Sequence, residues 1–491
     1  MCLLQRTRPM PCGGRGVPRR GWTVGVWLVF VVAASVVGVP LAAAERAGEV
    51  VTEDVSFRGG DGETLNGTVV SPPREDVQLP GVVLVHGAGP GLREWHRQEA
   101  EAFARAGIVA MIYDKRTEGY SLTERSYSQL ADDALGAVDV LRRQDHVDPA
   151  RVGLWGVSEG GWVAPLAAAR SLDVDFVVVV GGSAVPPAQQ EAWAKANRLR
   201  LAGVSSSMVR AYATRTVRLL VDAGLFPEAS YDPVAALERL RQPVLAIWGE
   251  HEEVSPPAES MSIYAEALGR GKTVGFTLRV LADADHAGYH APDGESSTSE
   301  WITTRGEFAA GYIESMTRWI DELADAPPLA SAETPPQQAV TSTPLQPLAW
   351  YESAPVQLGV VLVILAGFAS YPFIAVVQRF RGTRQVTPRD RPARWLAGAG
   401  LVTVLGSFGY FGFLLLTTEA VLGPVVLGRT IPWITLQLSA AVAVIAAVVT
   451  GTVWWRPRNT ADGRMRVELG PLLVSTTAFV PWALYWGLLV P

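Results

Sequence analysis

The segment Arg151-Val-Gly-Leu-Trp-Gly-Val-Ser-Glu-Gly-Gly-Trp162 sets a serine inside Gly156-Val157-Ser158-Glu159-Gly160. The residues before it are apolar and strand-like, and Gly161 to Ala169 reads as a helix. A tight strand-to-helix turn with small residues on both sides lifts a hydroxyl above the end of a sheet, as an attacking nucleophile requires. The glycine content of the chain makes a bare G-x-S-x-G uninformative, and its plain alternative is a serine in an ordinary glycine turn. The flanking strand and helix favour the nucleophile. A serine hydroxyl is a poor nucleophile without a base, and six histidines are available. Cys2 and Cys12 both precede the first apolar run, so no thiol nucleophile, cysteine zinc site or disulfide is open to the later domains.

The elements that would position such a serine lie between about Val50 and Leu323. Apolar runs at Leu65 to Val70, Gly81 to Val85, Ile108 to Tyr113, Val152 to Trp155, Phe176 to Val180 and Val244 to Trp248 read as strands, with a seventh at Thr277 to Leu281. Glu94 to Ala106, Gln129 to Arg143, Gly161 to Ala169 and Met261 to Ala267 read as helices between them. Strands apolar on both faces and separated by helices imply an α/β fold with a mainly parallel sheet covered on both sides. Pro187 to Leu240 is a long helical stretch between two strands, read as an inserted cap over the site or as a pair of surface helices.

With these parts in order, the stretch from Val50 to Leu323 resembles the α/β-hydrolase family, in its esterase and serine aminopeptidase-like branch. A second mark of the resemblance is Val83-Leu-Val-His-Gly-Ala-Gly-Pro-Gly91, which is similar to the turn that builds the oxyanion hole in that family. The resemblance implies that the backbone N–H groups of Ala88 and Glu159 face the developing oxyanion. It also implies that His86 braces the loop, and that the side chain of Glu159 is free to vary. The family order of nucleophile, acid and histidine implies His286, in Ala282-Asp-Ala-Asp-His-Ala-Gly288, as the base, with His290 its nearest competitor. The acid falls in Gly249-Glu-His-Glu-Glu-Val-Ser-Pro256; alignment on Gly249 and Pro256 gives Glu252, with Glu250 and Glu253 as rivals. Tyr113-Asp-Lys-Arg-Thr-Glu-Gly-Tyr-Ser121 resembles a family turn that braces the oxyanion side, so Arg116 is read as structural. These parts imply acyl transfer to water with no metal or cofactor, on a carboxylic ester. A peptidase or amidase of the serine aminopeptidase type is the enzymatic alternative, and a non-catalytic binding or sensory module the other.

The remaining chain is of a different character. Residues 1–44 carry Arg15, Arg19 and Arg20, an apolar run from Trp22 to Val39, then Pro40 and Ala42 to Ala44, the order of a secretory signal or an uncleaved anchor. Residues 324–354 are rich in Pro, Ala, Ser, Thr and Gln and read as a flexible linker. Four apolar runs follow, about 356–377, 395–416, 434–455 and 471–490, read as an all-α bundle of four transmembrane helices whose simplest role is anchoring. Arginines cluster in the first and third connections, with only Arg429 in the second, so the first and third face the cytoplasm. The expected protein is thus multi-pass in the cell membrane, with its catalytic domain outside. A net charge of -6 argues against nucleic acid as a partner. Lys115, Lys195 and Lys272 are the only lysines, a scarcity read as base composition; oligomeric state is left open.

Overall fold

The computed structural model describes residues 50–73, 77–121, 123–292, 306–382, 390–455 and 463–490, with the backbone alone at 453 and 463–468. The export signal expected in residues 1–44 lies outside the described residues, as do most of the first and third connections of the bundle.

Nine strands form one sheet. They are β1 (Val51–Arg58), β2 (Thr64–Ser71), β3 (Leu79–Val85), β4 (Val109–Tyr113), β5 (Val147–Val157), β6 (Val177–Val180), β7 (Val244–Gly249), β8 (Phe276–Leu281) and β9 (Ser331–Ala332). Their order is 1-2-4-3-5-6-7-8-9, antiparallel between β1, β2 and β4 and parallel from there on. Alternation along the strands sends Val83, Leu154, Val179 and Trp248 to one face and Leu84, Trp155, Val180 and Ile247 to the other. Helices α1 (Arg97–Arg105), α2 (Tyr127–Leu141) and α3 (Gly160–Ala168) connect β3 through β6. The first core face is covered by α2 and α3, the second by α1 and a later helix, Tyr312–Glu322. The chain leaves β3 for β4 on one side and returns to β5 on the other. The crevice beyond the C-terminal ends of β3 and β5 is therefore the switch point where open α/β sheets place ligands.

Two strands were not legible in the sequence. β1 is an edge strand with charged, exposed residues and only Phe57 buried, so it lacks the apolar signal of the others. β9 lies in the segment expected to be a flexible linker. There Glu333 N–H donates to Leu278 O at 2.9 Å, Ser342 N–H to Glu259 at 2.6 Å, and Trp193 Nε1 to Val340 O at 2.7 Å. A segment with little to bury is held by polar contacts instead, which composition does not reveal. Arg116 is structural, as expected: it bonds Asp133 of α2 at 2.7 and 2.8 Å and Gly60 O at 2.9 Å, with both side chains buried.

Between β6 and β7 lie α4 (Pro187–Leu201), α5 (Ser207–Val209), α6 (Thr216–Asp222) and α7 (Pro233–Leu237), with a π-helical turn at Arg210–Arg215. Beyond β7 come α8 (Pro257–Arg270) and α9 (Tyr312–Glu322), then the bundle helices α10 (Ala354–Phe380), α11 (Asp390–Leu416), α12 (Ile431–Trp455) and α13 (Gly463–Tyr485). Among the described residues three helices, α10, α11 and the part of α12 from Ile431 to Thr452, are long and apolar enough to cross a membrane. A fourth helix, α13, runs 23 residues from Gly463 to Tyr485, and its described apolar part, Leu469–Tyr485, carries Pro471 and Pro481. The cap and the bundle share one core, in which Leu199, Met208 and Tyr212 of the cap pack with Phe411, Trp433 and Trp486.

Candidate active site

Ser158 follows β5 with φ of +55°, a left-handed backbone that costs a non-glycine residue roughly 1–3 kcal/mol. Its N–H donates to Val180 O at 2.9 Å, and its own carbonyl accepts from Gly161 N–H at 2.8 Å as α3 begins. The turn is tight because the elements beneath it touch: a Cβ on Gly160 would lie 2.5 Å from Val85 O, at the end of β3. Only glycine fits there, and the N-terminus of α3 is left directly behind the serine.

His286, in the loop after β8, is buried with Nδ1 at 2.7 and 2.8 Å from the two carboxylate oxygens of Glu252, in the loop after β7. An ionised carboxylate only accepts, so Nδ1 carries the proton and Nε2 is the basic nitrogen. Glu252 is fixed in turn by N–H groups of Val254 at 2.8 Å and Ser255 at 2.9 Å. A Cβ on Gly181 would lie 2.7 Å from His286 Nδ1 and Cε1. The imidazole thus rests on the residue that follows Val180, the acceptor of the Ser158 N–H, and Ser158 and His286 both adjoin the Val180–Gly181 turn. Of the rival carboxylates, Glu250 is exposed and accepts from Asp283 N–H at 3.2 Å, while Glu253 is part-buried and burial pushes its carboxyl up. His290 is exposed. Asp285, not anticipated, is buried and accepts N–H groups of Ala287 and Tyr289 at 2.9 Å each, shaping the loop that carries His286.

Ala88 lies in the loop after β3. Among the described residues neither its N–H nor that of Glu159 donates to a backbone carbonyl. His86 is buried, with Nε2 2.5 Å from Tyr113 O, which ties the start of this loop to β4. The side chain of Glu159, expected to be free to vary, is not. It is buried, accepting from Lys115 Nζ at 2.6 Å, Arg125 at 2.6 Å and the Tyr120 hydroxyl at 2.8 Å. Lys115 also donates to Gly87 O at 2.7 Å, and Tyr120 accepts from Gly89 N–H at 3.0 Å. One buried ion network therefore joins the residue after the serine to both sides of Ala88. Burial alone would raise the Glu159 carboxyl, but Lys115 and Arg125 outweigh it and hold it below its ordinary 4.5.

Ser158 and Ala88 open into a cavity of about 500 Å³ walled by Trp162, by the cap residues Lys195 and Val217, and by Leu415 and Glu419 of the bundle. The last two bring the bundle to the wall of the cavity.

A model of the prolyl oligopeptidase family matches residues 97–315, from α1 through the start of α9 and so across the elbow, the cap and both members of the carboxylate–imidazole pair. The chain has the α/β-hydrolase fold. Among curated proteins, this chain is 30% identical over 140 residues to the thiohydrolase apmlB of Arthrinium phaeospermum, covering 28% of this chain and 45% of that protein. It is 25% identical over 288 residues to the esterase EstD of Thermotoga maritima, covering 52% and 66%. The chain spans less than half the length of the first curated relatives it matches, 45% and 42%. A solved hyperthermophilic esterase from the archaeon Pyrobaculum calidifontis aligns at 21% identity and a TM-score of 0.38, covering 56% of this chain and 87% of that one.

Two features of the site escaped the sequence reading for a common reason. Lysine scarcity looked like base composition, yet two of the three lysines, Lys115 and Lys195, are buried beside the cavity. An ammonium is a compact cation with three donors, suited to several acceptors where a planar guanidinium fork is not. Elsewhere, Glu250, His251 and Asp283 place ligand atoms within 4.8 Å of one another, but Glu250 and Asp283 are exposed. Glu159→Ala is expected to leave two buried cations without their carboxylate, lowering stability by about 3–5 kcal/mol. Loosening of the Ala88 loop should cut kcat about 100-fold. Because the folded carboxyl lies below 4.5, the stability gap to wild type is full above that pH and closes as pH falls through the folded value. Thermal melts in detergent across pH check this; a gap that widens in acid would contradict it.

Proposed function

We propose that the protein is a serine hydrolase that cleaves a carboxylic ester through an acyl-enzyme, at the outer face of a membrane. The observation that carries this reading is the His286 imidazole, fixed at Nδ1 by Glu252 beside the left-handed turn of Ser158. In the proposed reaction His286 Nε2 takes the Ser158 proton as Oγ bonds to the ester carbonyl carbon. The N–H groups of Ala88 and Glu159 receive the oxyanion, and the bond to the alkoxy group breaks as His286 returns the proton to the departing alcohol. Water, deprotonated by the same nitrogen, then releases the acid and restores Ser158. Glu252 stays ionised and steadies the imidazolium. The match to the prolyl oligopeptidase family supports a peptide bond as the second reading. The apolar part of the cavity wall, with Trp162, Val217 and Leu415, supports an ester.

The outward placement is supported by charge. Contacts with the hydrolase domain lie at the ends of the bundle marked by Ala354, Glu419, Gly428 and Gly487. Arg379, Arg381, Arg391 and Arg394 lie at the other ends of α10 and α11, which the positive-inside tendency assigns to the cytoplasm.

A fluorophosphonate probe should label the full-length protein in detergent, and Ser158→Ala and His286→Ala should abolish labelling. Glu252→Ala should lower ester turnover by about 10⁴-fold, while Glu250→Ala and Glu253→Ala stay within about threefold of wild type; equal losses in all three would sink the assignment of Glu252. Sidedness has its own check, since Leu172 is exposed on the hydrolase domain. A membrane-impermeant maleimide should label Leu172→Cys, in a background with Cys2 and Cys12 replaced, in intact cells. Labelling only after lysis would place the domain inside.

A further inference from the structure

The wall of the cavity supplied by the bundle is a built contact. Leu415 is the last but one residue of α11, and Thr418 and Glu419 follow it, both with left-handed backbones, at φ of +46° and +63°. The Glu419 carboxylate is buried and accepts from Lys195 Nζ at 2.9 Å, from Arg198 at 2.9 Å and from the Tyr212 hydroxyl. A charge removed from water must be compensated where it stands, so these contacts fix the cap against the bundle at the edge of the cavity. Strained non-glycine residues persist where surroundings over-determine them, and here they aim a membrane-bundle carboxylate into a hydrolase pocket.

One side of the cavity wall lies close to the end of the bundle that carries Ala354. Asp222, the last residue of α6, accepts the N–H of Ala354, the first residue of α10, at 2.7 Å. Leu225, three residues on, lines the cavity and is also 48% exposed. At the same end of the bundle Trp350 is 78% and Leu416 87% exposed, and Leu201, Tyr351 and Leu427 are exposed as well. Apolar and aromatic side chains at the ends of spanning helices seat at the headgroup level of a bilayer. In water they would form a large unpartnered patch.

Resting on the ester reading, we propose that the substrate is a long-chain acyl ester resident in the bilayer, admitted from the outer leaflet past Leu225. The acyl chain lies between Val217 and Leu220 of the cap and Leu415 of the bundle, with its carbonyl carbon at Ser158. The reaction breaks the ester C–O bond, passes the Ser158 proton to the departing alcohol and consumes one water to release the fatty acid. The membrane bundle is on this account a part of the binding site, and the chain length accepted is set where the two regions meet.

Full-length protein reconstituted in phosphatidylcholine vesicles would be given 4-methylumbelliferyl palmitate dissolved in the bilayer, or 4-methylumbelliferyl butyrate in the surrounding buffer. The expected result is a higher kcat/KM for palmitate, and a palmitate-to-butyrate ratio that falls at least about tenfold in Leu415→Trp, which fills the chain site. Uptake of a fluorophosphonate by the variant establishes that it is folded. Cleavage of butyrate with none of palmitate, or an unchanged ratio in a variant that still takes the probe, overturns the chain-site assignment and leaves the ester reading standing. Wild type that cleaves neither ester overturns both.

Discussion

A serine with a left-handed backbone has to be held there by its surroundings, and most of the fold bears on that one turn. The Ser158 peptide is set between Val180 O on β6 and the first turn of α3, and Gly160 approaches Val85 O so closely that no side chain fits between them. This geometry exists only because β3 and β5 are neighbours, paired with Val85 opposite Gly156, while β6 lies on the far side of β5. The same pairing puts the loop of Ala88 beside Ser158. Two apolar cores, one on each face of the sheet, supply the rigidity against which a strain of roughly 1–3 kcal/mol is sustained.

Three of the carboxylates buried around that turn are answered by cations, imidazole or hydroxyl donors. Glu252 has His286 and two backbone N–H groups; Glu159 has Lys115, Arg125 and Tyr120; Glu419 has Lys195, Arg198 and Tyr212. Buried away from water each pairing is stronger than it would be in solvent, and each unpaired member would be costly. The three sets differ in what they hold: the proposed base, the proposed oxyanion loop, and the junction of cap and bundle. Positioning at this site is thus largely electrostatic, on a scaffold made rigid by hydrophobic packing.

What could be read from the sequence divides along the same line. Strands buried on both faces leave continuous apolar runs, so β3 to β8 were legible, and the elbow around Ser158 follows from glycines whose need is local. Glu252 could be singled out from Glu250 and Glu253 only through the family spacing, because all three are loop carboxylates and the distinction is the 2.7 Å contact with His286. β1 and the docked segment before α10 were illegible because polar contacts leave no periodic trace. The roles of the Glu159 and Glu419 side chains depend on partners 44 and 224 residues away in the chain, at Lys115 and Lys195, and nothing in either local sequence names them. The bundle is legible in its apolar runs, while the core it shares with the cap emerges only from packing.

The most direct measurement is the mass of the elbow peptide after the full-length protein is mixed with a chromogenic ester and quenched in acid within the first turnover. The account predicts an added acyl group on Ser158, formed in step with the first equivalent of released alcohol and absent from Ser158→Ala. Turnover with Ser158 unmodified throughout, or an acyl group that forms at the same rate on another residue, would contradict it.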